Sequence, residues 1–270
     1  MKSTFFALLG LAAAFASAQD AAPPVDEIVA KANRMSYYQG QNGRAKVSMA
    51  IKDSQGRERT REFTILRMDL EPADATNDVF TGDQKMYVYF ERPADVNKMA
   101  YLVYKHVDGR DDDRWLFMPG LNLVKRVAAS DKRTSFVGSD FFYEDVSGRS
   151  PDLDLHELVE TTDLYYVLKN TPKDPKAVEF ASYKVWIHKA TFMPVKGEYY
   201  DAAGNKFREM QALEVQEIQG FPTVVKSQMS DLRTGSTTTI SYNKVEYNVG
   251  ITEDLFTERY LRNPPRAQLR

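Results

Sequence analysis

The sequence predicts a mainly β protein of the α+β class, built on a strongly curved antiparallel sheet of about ten or eleven strands. Two observations predict this fold. From Arg44 onward, apolar residues alternate with polar ones at a period of two, as in half-buried strands. Turn sequences rich in Gly, Asp, Asn and Pro separate these runs at roughly regular spacing, as in sequential hairpins. Because so wide a sheet rarely stays flat and open, we expect it to curl.

Residues 1–18, MKSTFFALLGLAAAFASA, are typical of a cleavable secretory signal peptide. Lys2 is the basic start, an apolar run follows it, and Ala16-Ser17-Ala18 has the small-residue pattern of a cleavage site. The apolar run is shorter than the ~20 residues that a membrane-spanning helix needs. The sequence therefore predicts export, with a soluble mature chain of residues 19–270.

The first predicted element of the mature chain is a one-sided helix. Pro24 suits its first turn, and Asp26 and Glu27 suit the positive end of its dipole. Apolar residues then recur at helical spacing: Ile28, Val29, Ala32 and Met35. This helix is short, so we expect it to lean on the sheet.

Strand-like runs fill most of the remaining chain. They are residues 45–51, 57–67, 86–91, 100–107, 114–118, 122–127, 163–169, 183–188, 195–200, 207–218, 223–232 and 237–247. No composition break or repeat of fixed period divides them, so we expect residues 19–270 to form a single domain. After a capped turn at residues 252–256, the tail is predicted to be mobile.

The composition limits the classes of function. The chain has no cysteine, which excludes disulfides and thiolate chemistry and leaves a packed core as the source of stability. Its formal net charge is −2, and the mature chain lacks the basic footprint that nucleic-acid binding requires. Together with the predicted signal peptide, this points to a bacterial-type periplasm, with full secretion as the alternative.

Residues that would perform catalysis or hold a metal are sparse. The histidines His106, His156 and His188 are far apart in sequence and have no zinc-ligand spacing. Residues 108–113, DGRDDD, gather carboxylates, but they lack the spacing of a calcium loop and are interpreted as a solvated hairpin tip. No nucleophile elbow, phosphate loop or dinucleotide motif is present. We therefore expect no catalytic residue, no metal site and no cofactor.

The middle strands carry more apolar side chains than one covered face requires. Residues 86–90, 100–104 and 114–118 are apolar on both faces, so each face must be covered by protein or lined with ligand. A candidate cover is residues 130–150, called here the aromatic segment, whose loop-like sequence holds four rings: Phe136, Phe141, Phe142 and Tyr143. Since large rings are costly to leave in water, the segment is either a core plug or a lid. The sequence leaves both open.

Two blocks of the sequence resemble a known family. They are residues 114–149, RWLFMPGLNLVKRVAASDKRTSFVGSDFFYEDVSGR, and the hairpin at residues 183–210. The tryptophan strand, the Pro-Gly turn, the basic strand and the SF-G-SDF-YED signature resemble the bacterial outer membrane lipoprotein-sorting protein family, relatives of the periplasmic carrier LolA. The resemblance extends over the mature chain. It implies an unclosed half-barrel around an apolar cavity, lidded by a few short helices.

The resemblance implies a non-enzymatic periplasmic carrier or receptor for lipid acyl chains or lipoproteins. It also implies a partner, an inner-membrane transporter of the resistance-nodulation-division (RND) type. Strand parity nominates eight residues as the cavity lining: Met49, Phe63, Ile65, Tyr87, Tyr89, Tyr101, Val103 and Trp115. The four rings of the aromatic segment are its expected lid. Two alternatives stay open, a non-catalytic adaptor of a membrane transporter with a filled core and, behind it, a periplasmic hydrolase with paired carboxylates.

Overall fold

The structure is a computed structural model that describes residues 22–70 and 82–270. The predicted signal peptide, residues 1–18, lies outside the described residues. Within them, thirteen strands form one antiparallel sheet, accompanied by three α-helices. The predicted mainly β fold is confirmed.

The elements have the following bounds. The helices are α1 (Val25–Tyr37), α2 (Tyr143–Ser147) and α3 (Glu258–Arg262). The first six strands are β1 (Asn42–Lys52), β2 (Glu58–Asp69), β3 (Gln84–Arg92), β4 (Ala100–Lys105), β5 (Asp113–Met118) and β6 (Leu123–Arg126). The others are β7 (Asp154–Thr161), β8 (Tyr165–Pro172), β9 (Ser182–His188), β10 (Pro194–Tyr200), β11 (Lys206–Ile218), β12 (Phe221–Asp231) and β13 (Ser236–Tyr247).

The sheet consists of two meanders joined side by side. Its strand order is β6-β5-β4-β3-β2-β1-β13-β12-β11-β10-β9-β8-β7, so the first strand of the chain pairs with the last. The edges β6 and β7 do not pair with each other, and the sheet is therefore not closed into a barrel. The strand count exceeds the predicted ten or eleven. The predicted strand-like runs do not include β7, whose apolar residues Leu155 and Val159 are exposed rather than part of the core.

The sheet has several β-bulges. The register shifts after Lys46 in β1, after Glu62 in β2 and after Tyr199 in β10, among other places. A bulge bends its strand and increases the local twist. These irregularities therefore let a thirteen-stranded sheet bend, as the sequence predicted for a sheet of this width.

The chain path explains the position of the aromatic segment. The edge strands β6 and β7 follow each other in sequence but lie at opposite ends of the sheet order. Residues 127–153 must therefore cross from one edge of the sheet to the other, and the aromatic segment is most of this crossing. Its rings pack on one face of the sheet, called here the inner face, against apolar side chains of β1–β5, β12 and β13.

The opposite, outer face of β2–β5 is covered by the C-terminal segment, residues 251–269. Leu255, Phe256, Leu261 and Leu269 are buried there in one cluster with residues of the strands. The tail was predicted to be mobile after residue 256, and that prediction is wrong. Its apolar residues are too widely spaced to form a recognisable pattern, yet four of them are buried against the sheet. As a result β3 and β4 are covered by protein on both faces.

Helix α1 begins directly after Pro24, as predicted, with Asp26 and Glu27 in its first turn. Its residues Ile28 and Ala32 are buried against side chains of β8 and β9. The helix therefore leans on the second meander, while the aromatic segment packs mainly on the first.

Candidate ligand-binding cavity

A cavity of about 490 Å³ lies between the inner face of the sheet, helix α1 and the aromatic segment. Its wall combines side chains of α1, of β1–β3, of the aromatic segment and of β7–β13. Ligand sites of small molecules typically have volumes of about 300–1,000 Å³. The cavity is therefore large enough for a small ligand or part of an alkyl chain.

The wall is apolar and rich in methionine. Of the ten methionines in the chain, six lie on it: Met35, Met49, Met86, Met193, Met210 and Met229. Methionine is unbranched and flexible, and its sulfur is polarisable, so it adapts to apolar guests of variable shape. Such a wall suits a ligand with many conformations.

Five of the residues nominated from the sequence lie on the wall. They are Met49, Phe63 and Ile65 from the predicted lining, and Phe136 and Phe141 from the predicted lid. The structure therefore brings the two predicted groups together on one cavity. That these residues contact a ligand stays a prediction.

Tyr101 and Val103 belong to the inner core, as parity predicted, but they do not line the cavity. The aromatic segment covers Tyr101, whose ring centroid lies 5.6 Å from that of Phe136 and 5.2 Å from that of Tyr143. At this end of the sheet the segment fills the space that a ligand would need.

Tyr87, Tyr89 and Trp115 lie on the outer face, so their nomination as cavity lining is a wrong prediction. The Tyr87 hydroxyl donates to the carbonyl of Tyr260 in the C-terminal segment, at 2.8 Å. Strand parity failed here because both parities of β3 carry large apolar side chains. Met86, the neighbour of Tyr87, is the residue of β3 that reaches the cavity.

The four rings of the aromatic segment have different surroundings. Phe136 is almost fully buried at the centre of a ring cluster, 5.8 Å from Phe90 and 5.4 Å from Tyr143 between centroids. Phe142 is half-buried, with the guanidinium groups of Arg133 and Arg208 within 4.6 and 4.2 Å of its ring centroid. The segment is therefore anchored in two ways, in the core through Phe136 and Tyr143 and by the cations around Phe142.

The half of the wall that belongs to α1 and the second meander was not predicted from the sequence. Val29, Leu168, Val185, Ile187 and Ala212 contribute to it. The apolar periodicity of α1 was recognised, but a pattern in one element does not identify the element it faces. This half of the site depends on the pairing of β1 with β13.

Buried ion pairs fasten the aromatic segment to β11. Asp145, in α2, accepts hydrogen bonds from Arg208 of β11 and from the backbone N–H of Phe142, the latter at 2.7 Å. Arg133 lies 3.3 Å from the same carboxylate. Burial opposes the ionisation of Asp145, but Arg208 and Arg133 outweigh it and lower the pKa of the carboxyl below its usual range.

A second set of ion pairs fastens the segment to β7. Arg149 donates to Asp154 at 2.8 Å and to the buried Glu144 at 3.2 Å. The buried Lys105 of β4 donates to the carbonyls of Ser147 and Gly148 at 3.0 and 2.7 Å, at the C-terminal end of α2. A cation is favourable there because the helix dipole is negative at that end.

The histidines and the acidic hairpin make local contacts. His106 lies between Asp83 and Asp113, each 3.1 Å from one ring nitrogen. In the predicted hairpin tip, Asp108 pairs with Arg110 at 3.0 Å. Each of these side chains therefore has a partner within the protein.

A family model described as "uncharacterized protein" matches residues 82–263, more than half of the chain. A protein of the DUF1329 family from Desulfovibrio piger is similar in structure, with 28% identity, coverage of 89% of this chain and 100% of that one, and a TM-score of 0.76. A protein domain from Vibrio parahaemolyticus named for outer membrane lipoprotein sorting has 25% identity, coverage of 87% and 97%, and a TM-score of 0.76.

The chain belongs to the family of the model that matches residues 82–263. The solved structures similar to it include a DUF1329 family protein and a domain named for outer membrane lipoprotein sorting. A LolA superfamily protein from Nitrosomonas europaea shares the fold, at 21% identity, coverage of 88% and 100%, and a TM-score of 0.65. A comparison with curated protein sequences gives no match. The family resemblance predicted from residues 114–149 and 183–210 is confirmed.

As in the fold expected for the LolA-like family, an unclosed sheet surrounds the cavity and short helices lie over it. Among residues 22–70 and 82–270, no helix is both long enough and apolar enough to cross a membrane.

Gly148 is a sensitive point of the aromatic segment. Its φ is +83°, and a Cβ atom there would lie 2.7 Å from Cζ of Tyr37. We expect Gly148→Ala to lower the free energy of unfolding by about 1–3 kcal/mol, because it adds a steric clash to backbone strain. Urea unfolding measures the loss.

Gly220→Ala is the matched control for this prediction. Gly220 has a φ of +84°, and no described atom lies within 4 Å of its would-be Cβ. It therefore reports backbone strain alone. Equal losses in the two variants would contradict the close packing of Tyr37 on Gly148.

The lowered pKa of Asp145 predicts a loss of stability in acid. Its folded-state pKa is below the unfolded value of about 3.9, so its ionisation stabilises the fold above that pH. This stabilisation is lost as the pH falls through the folded-state pKa. We expect the free energy of unfolding to fall below about pH 4, and to fall less steeply in Asp145→Asn.

Chemical denaturation at several pH values between neutrality and pH 3 tests the acid prediction. The exposed Asp163 provides the control, because Asp163→Asn should keep the wild-type slope. If the free energy of unfolding of Asp145→Asn falls with pH as steeply as that of the wild-type protein, this carboxyl does not link stability to pH.

Proposed function

We propose that this protein is a non-enzymatic periplasmic carrier or receptor that holds the acyl chains of a lipid or lipoprotein in its cavity. The observation that carries the proposal is the methionine-rich apolar wall around about 490 Å³ of space on the inner face of the sheet. Burial of alkyl groups is non-directional, so such a wall needs no fixed ligand shape.

Hydrophobic transfer supplies enough free energy for this role. Each buried methylene contributes about 0.8 kcal/mol, so a 16-carbon chain would gain on the order of 10 kcal/mol before its ordering costs. The flexible methionine wall predicts substantial affinity and low selectivity among alkyl chains.

Periplasmic location is part of the proposal. The signal-like sequence at residues 1–18 supports it, as does the similarity to a domain named for outer membrane lipoprotein sorting. We also propose that residues 19–270 act as one domain, which the single sheet supports. An RND-type inner-membrane transporter is the proposed partner, because the family resemblance of the sequence implies one.

The chemistry of a carrier requires release as well as binding. The aromatic segment is the element proposed to move, because Phe136 and Phe141 form part of the cavity wall. Release then requires that the ion pairs of Asp145 and Arg149 loosen. In this scheme Phe136, Phe141, Phe142 and Tyr143 act together as a lid. The filled-core adaptor considered from the sequence has no use for the cavity, so the cavity favours the carrier.

The direct test is to purify the mature protein from the periplasm under native conditions and to extract what it holds. Mass spectrometry of the extract should identify an acyl-containing lipid or lipoprotein at a ratio near one per protein. A lipid-free preparation that also fails to bind added acyl probes would contradict the carrier and favour the adaptor.

A further inference from the structure

Three tyrosines bring hydroxyl groups to the cavity from three different elements. Tyr37 lies at the end of α1, Tyr199 on β10 and Tyr242 on β13, and all three line the wall. Each side chain is half-buried. Among the described residues, none of these three hydroxyls has a hydrogen-bond partner.

The other tyrosines of the wall are different. Tyr183 donates to Asp154 at 2.7 Å, and the hydroxyls of Tyr247 and Thr223 lie 2.9 Å apart. Polar groups in folded proteins are normally paired, because an unpaired hydroxyl in an apolar environment loses free energy. The three free hydroxyls are therefore available to a guest or to solvent in the cavity.

Tyr37 lies near Tyr199, Tyr242 and Asp145, and all of them line the same cavity. Burial raises the pKa of Tyr37, and Asp145, Tyr199 and Tyr242 raise it further through their proximity. Burial also raises the pKa of Tyr199 and of Tyr242. All three hydroxyls therefore keep their protons at neutral pH and are able to donate hydrogen bonds.

The charged side chains on the wall around these three hydroxyls are already paired. Every arginine on the cavity wall faces a carboxylate: the pairs are Arg44–Glu246, Arg67–Asp69, Arg133–Glu144 and Arg149–Asp154, with N–O distances of 2.7, 2.7, 3.2 and 2.8 Å. His156, also on the wall, has its ring nitrogens against Asn170 and the carbonyl of Pro151. No wall cation among the described residues is left to pair with an anion.

An anionic group at this spot would therefore find no unpaired wall cation and would lie close to the carboxylate of Asp145. The two cations against the tyrosine rings are also engaged: Lys105 donates to the carbonyls of Ser147 and Gly148, and Arg208 donates to Asp145 and to the carbonyl of Asp140. Burial of an unpaired charge is far more costly than burial of a hydrogen-bonded neutral group. An ester or amide carbonyl, in contrast, needs only donors, and the tyrosine hydroxyls are donors.

We propose that the hydroxyls of Tyr37, Tyr199 and Tyr242 form a recognition site for the uncharged carbonyl group of an acyl ester or amide. The inference rests on the proposed function and narrows its ligand class. The cavity then selects esterified or amidated acyl groups over free fatty acids, whose carboxylate would lie against Asp145.

Three probes of increasing polarity test the selection at pH 7.5. Diphenylhexatriene is purely apolar, 1-lauroylglycerol carries a neutral ester, and laurate carries an anionic carboxylate. Fluorescence titration measures the affinity for diphenylhexatriene. Displacement of bound diphenylhexatriene measures the affinities for 1-lauroylglycerol and laurate. The variants are Tyr37→Phe, Tyr199→Phe and Tyr242→Phe, singly and combined, since phenylalanine keeps the ring and removes only the hydroxyl.

We expect wild-type protein to bind 1-lauroylglycerol more tightly than laurate. Each single variant should lower the affinity for the ester by about two- to tenfold and leave the affinity for diphenylhexatriene unchanged. In the combined variant the affinity for the ester should fall at least about tenfold. Tyr89→Phe is the control, because Tyr89 lies on the outer face and the substitution should change none of the three affinities.

Three results would overturn the inference alone. One is laurate binding as tightly as the ester in the wild-type protein, and another is a combined variant that keeps its ester affinity. An equal loss for the ester and for diphenylhexatriene would also overturn it, because the hydroxyls would then support the cavity rather than the ligand. Failure of the wild-type protein to bind any of the three probes would instead contradict the proposed function.

Discussion

An Ala212→Trp variant is expected to bind diphenylhexatriene at least about tenfold more weakly than the wild-type protein. Ala212 is a small, half-buried residue of β11 on the cavity wall, so an indole ring there would occupy the space of the guest. Displacement of as few as two methylene equivalents costs about 1.6 kcal/mol, which is more than tenfold in affinity. Fluorescence titration measures the change.

The stability of the Ala212→Trp variant should change little, since the added ring enters existing space rather than a packed core. We expect its free energy of unfolding to stay within about 1 kcal/mol of the wild-type value. Ala202→Trp is the matched control, the same substitution in the exposed turn between β10 and β11, and it should bind the probe normally. A variant that folds and still binds the probe at full affinity would place the ligand elsewhere.

The Arg208→Met variant is expected to lose about 3 kcal/mol of folding free energy, the lower end of the range for one broken buried ion pair. The Arg208 guanidinium is almost fully buried, bonds to the Asp145 carboxylate and donates to the carbonyl of Asp140 at 2.7 Å. Its removal leaves Asp145 with a single cation, Arg133. Because the Arg133–Asp145 pair remains, we expect a loss of folding free energy at the lower end of that range. Urea unfolding measures the loss.

A second substitution separates the charge from the packing. In Arg208→Met/Asp145→Asn the uncompensated carboxylate is gone, while asparagine still offers an oxygen to the backbone N–H of Phe142. We expect this double variant to be more stable than Arg208→Met alone. Protease cleavage within residues 130–150 should increase in the single variant and fall back in the double one.

Failure of the second substitution to restore any stability would mean that Arg208 acts through ring packing on Phe142 and Tyr199. Both rings lie near its guanidinium, at 4.2 and 5.2 Å from their centroids. In that case the ion pair would not be what holds the aromatic segment.

The central strands illustrate how far alternation can be interpreted. In β1 and β2, polar partners separate most of the apolar residues, and parity placed Met49, Phe63 and Ile65 on the inner face. In β3, large apolar side chains occupy both parities, so the pattern did not distinguish Tyr87 from Met86. Which face meets the cavity depends on the aromatic segment and the C-terminal tail, and neither is local to β3.

The charged anchors of the aromatic segment were also beyond sequence reasoning. Arg208 and Asp145 are separated by more than sixty positions, and only the crossing from β6 to β7 brings them into contact. Similarly, the tyrosine hydroxyls come from α1, β10 and β13. No spacing in the chain marks them as one group.

The amino-acid sequence by itself determined the mainly β class, the run of hairpins, the first helix and the family, because these depend on local periodicity, turn chemistry and a contiguous motif. The tertiary structure alone decided that β1 pairs with β13, that the tail covers the outer face, and that the cavity lies mostly beside the second meander. These features depend on contacts between distant parts of the chain. The free energy that selects among such contacts comes from the packing of whole faces, which no short stretch of residues encodes.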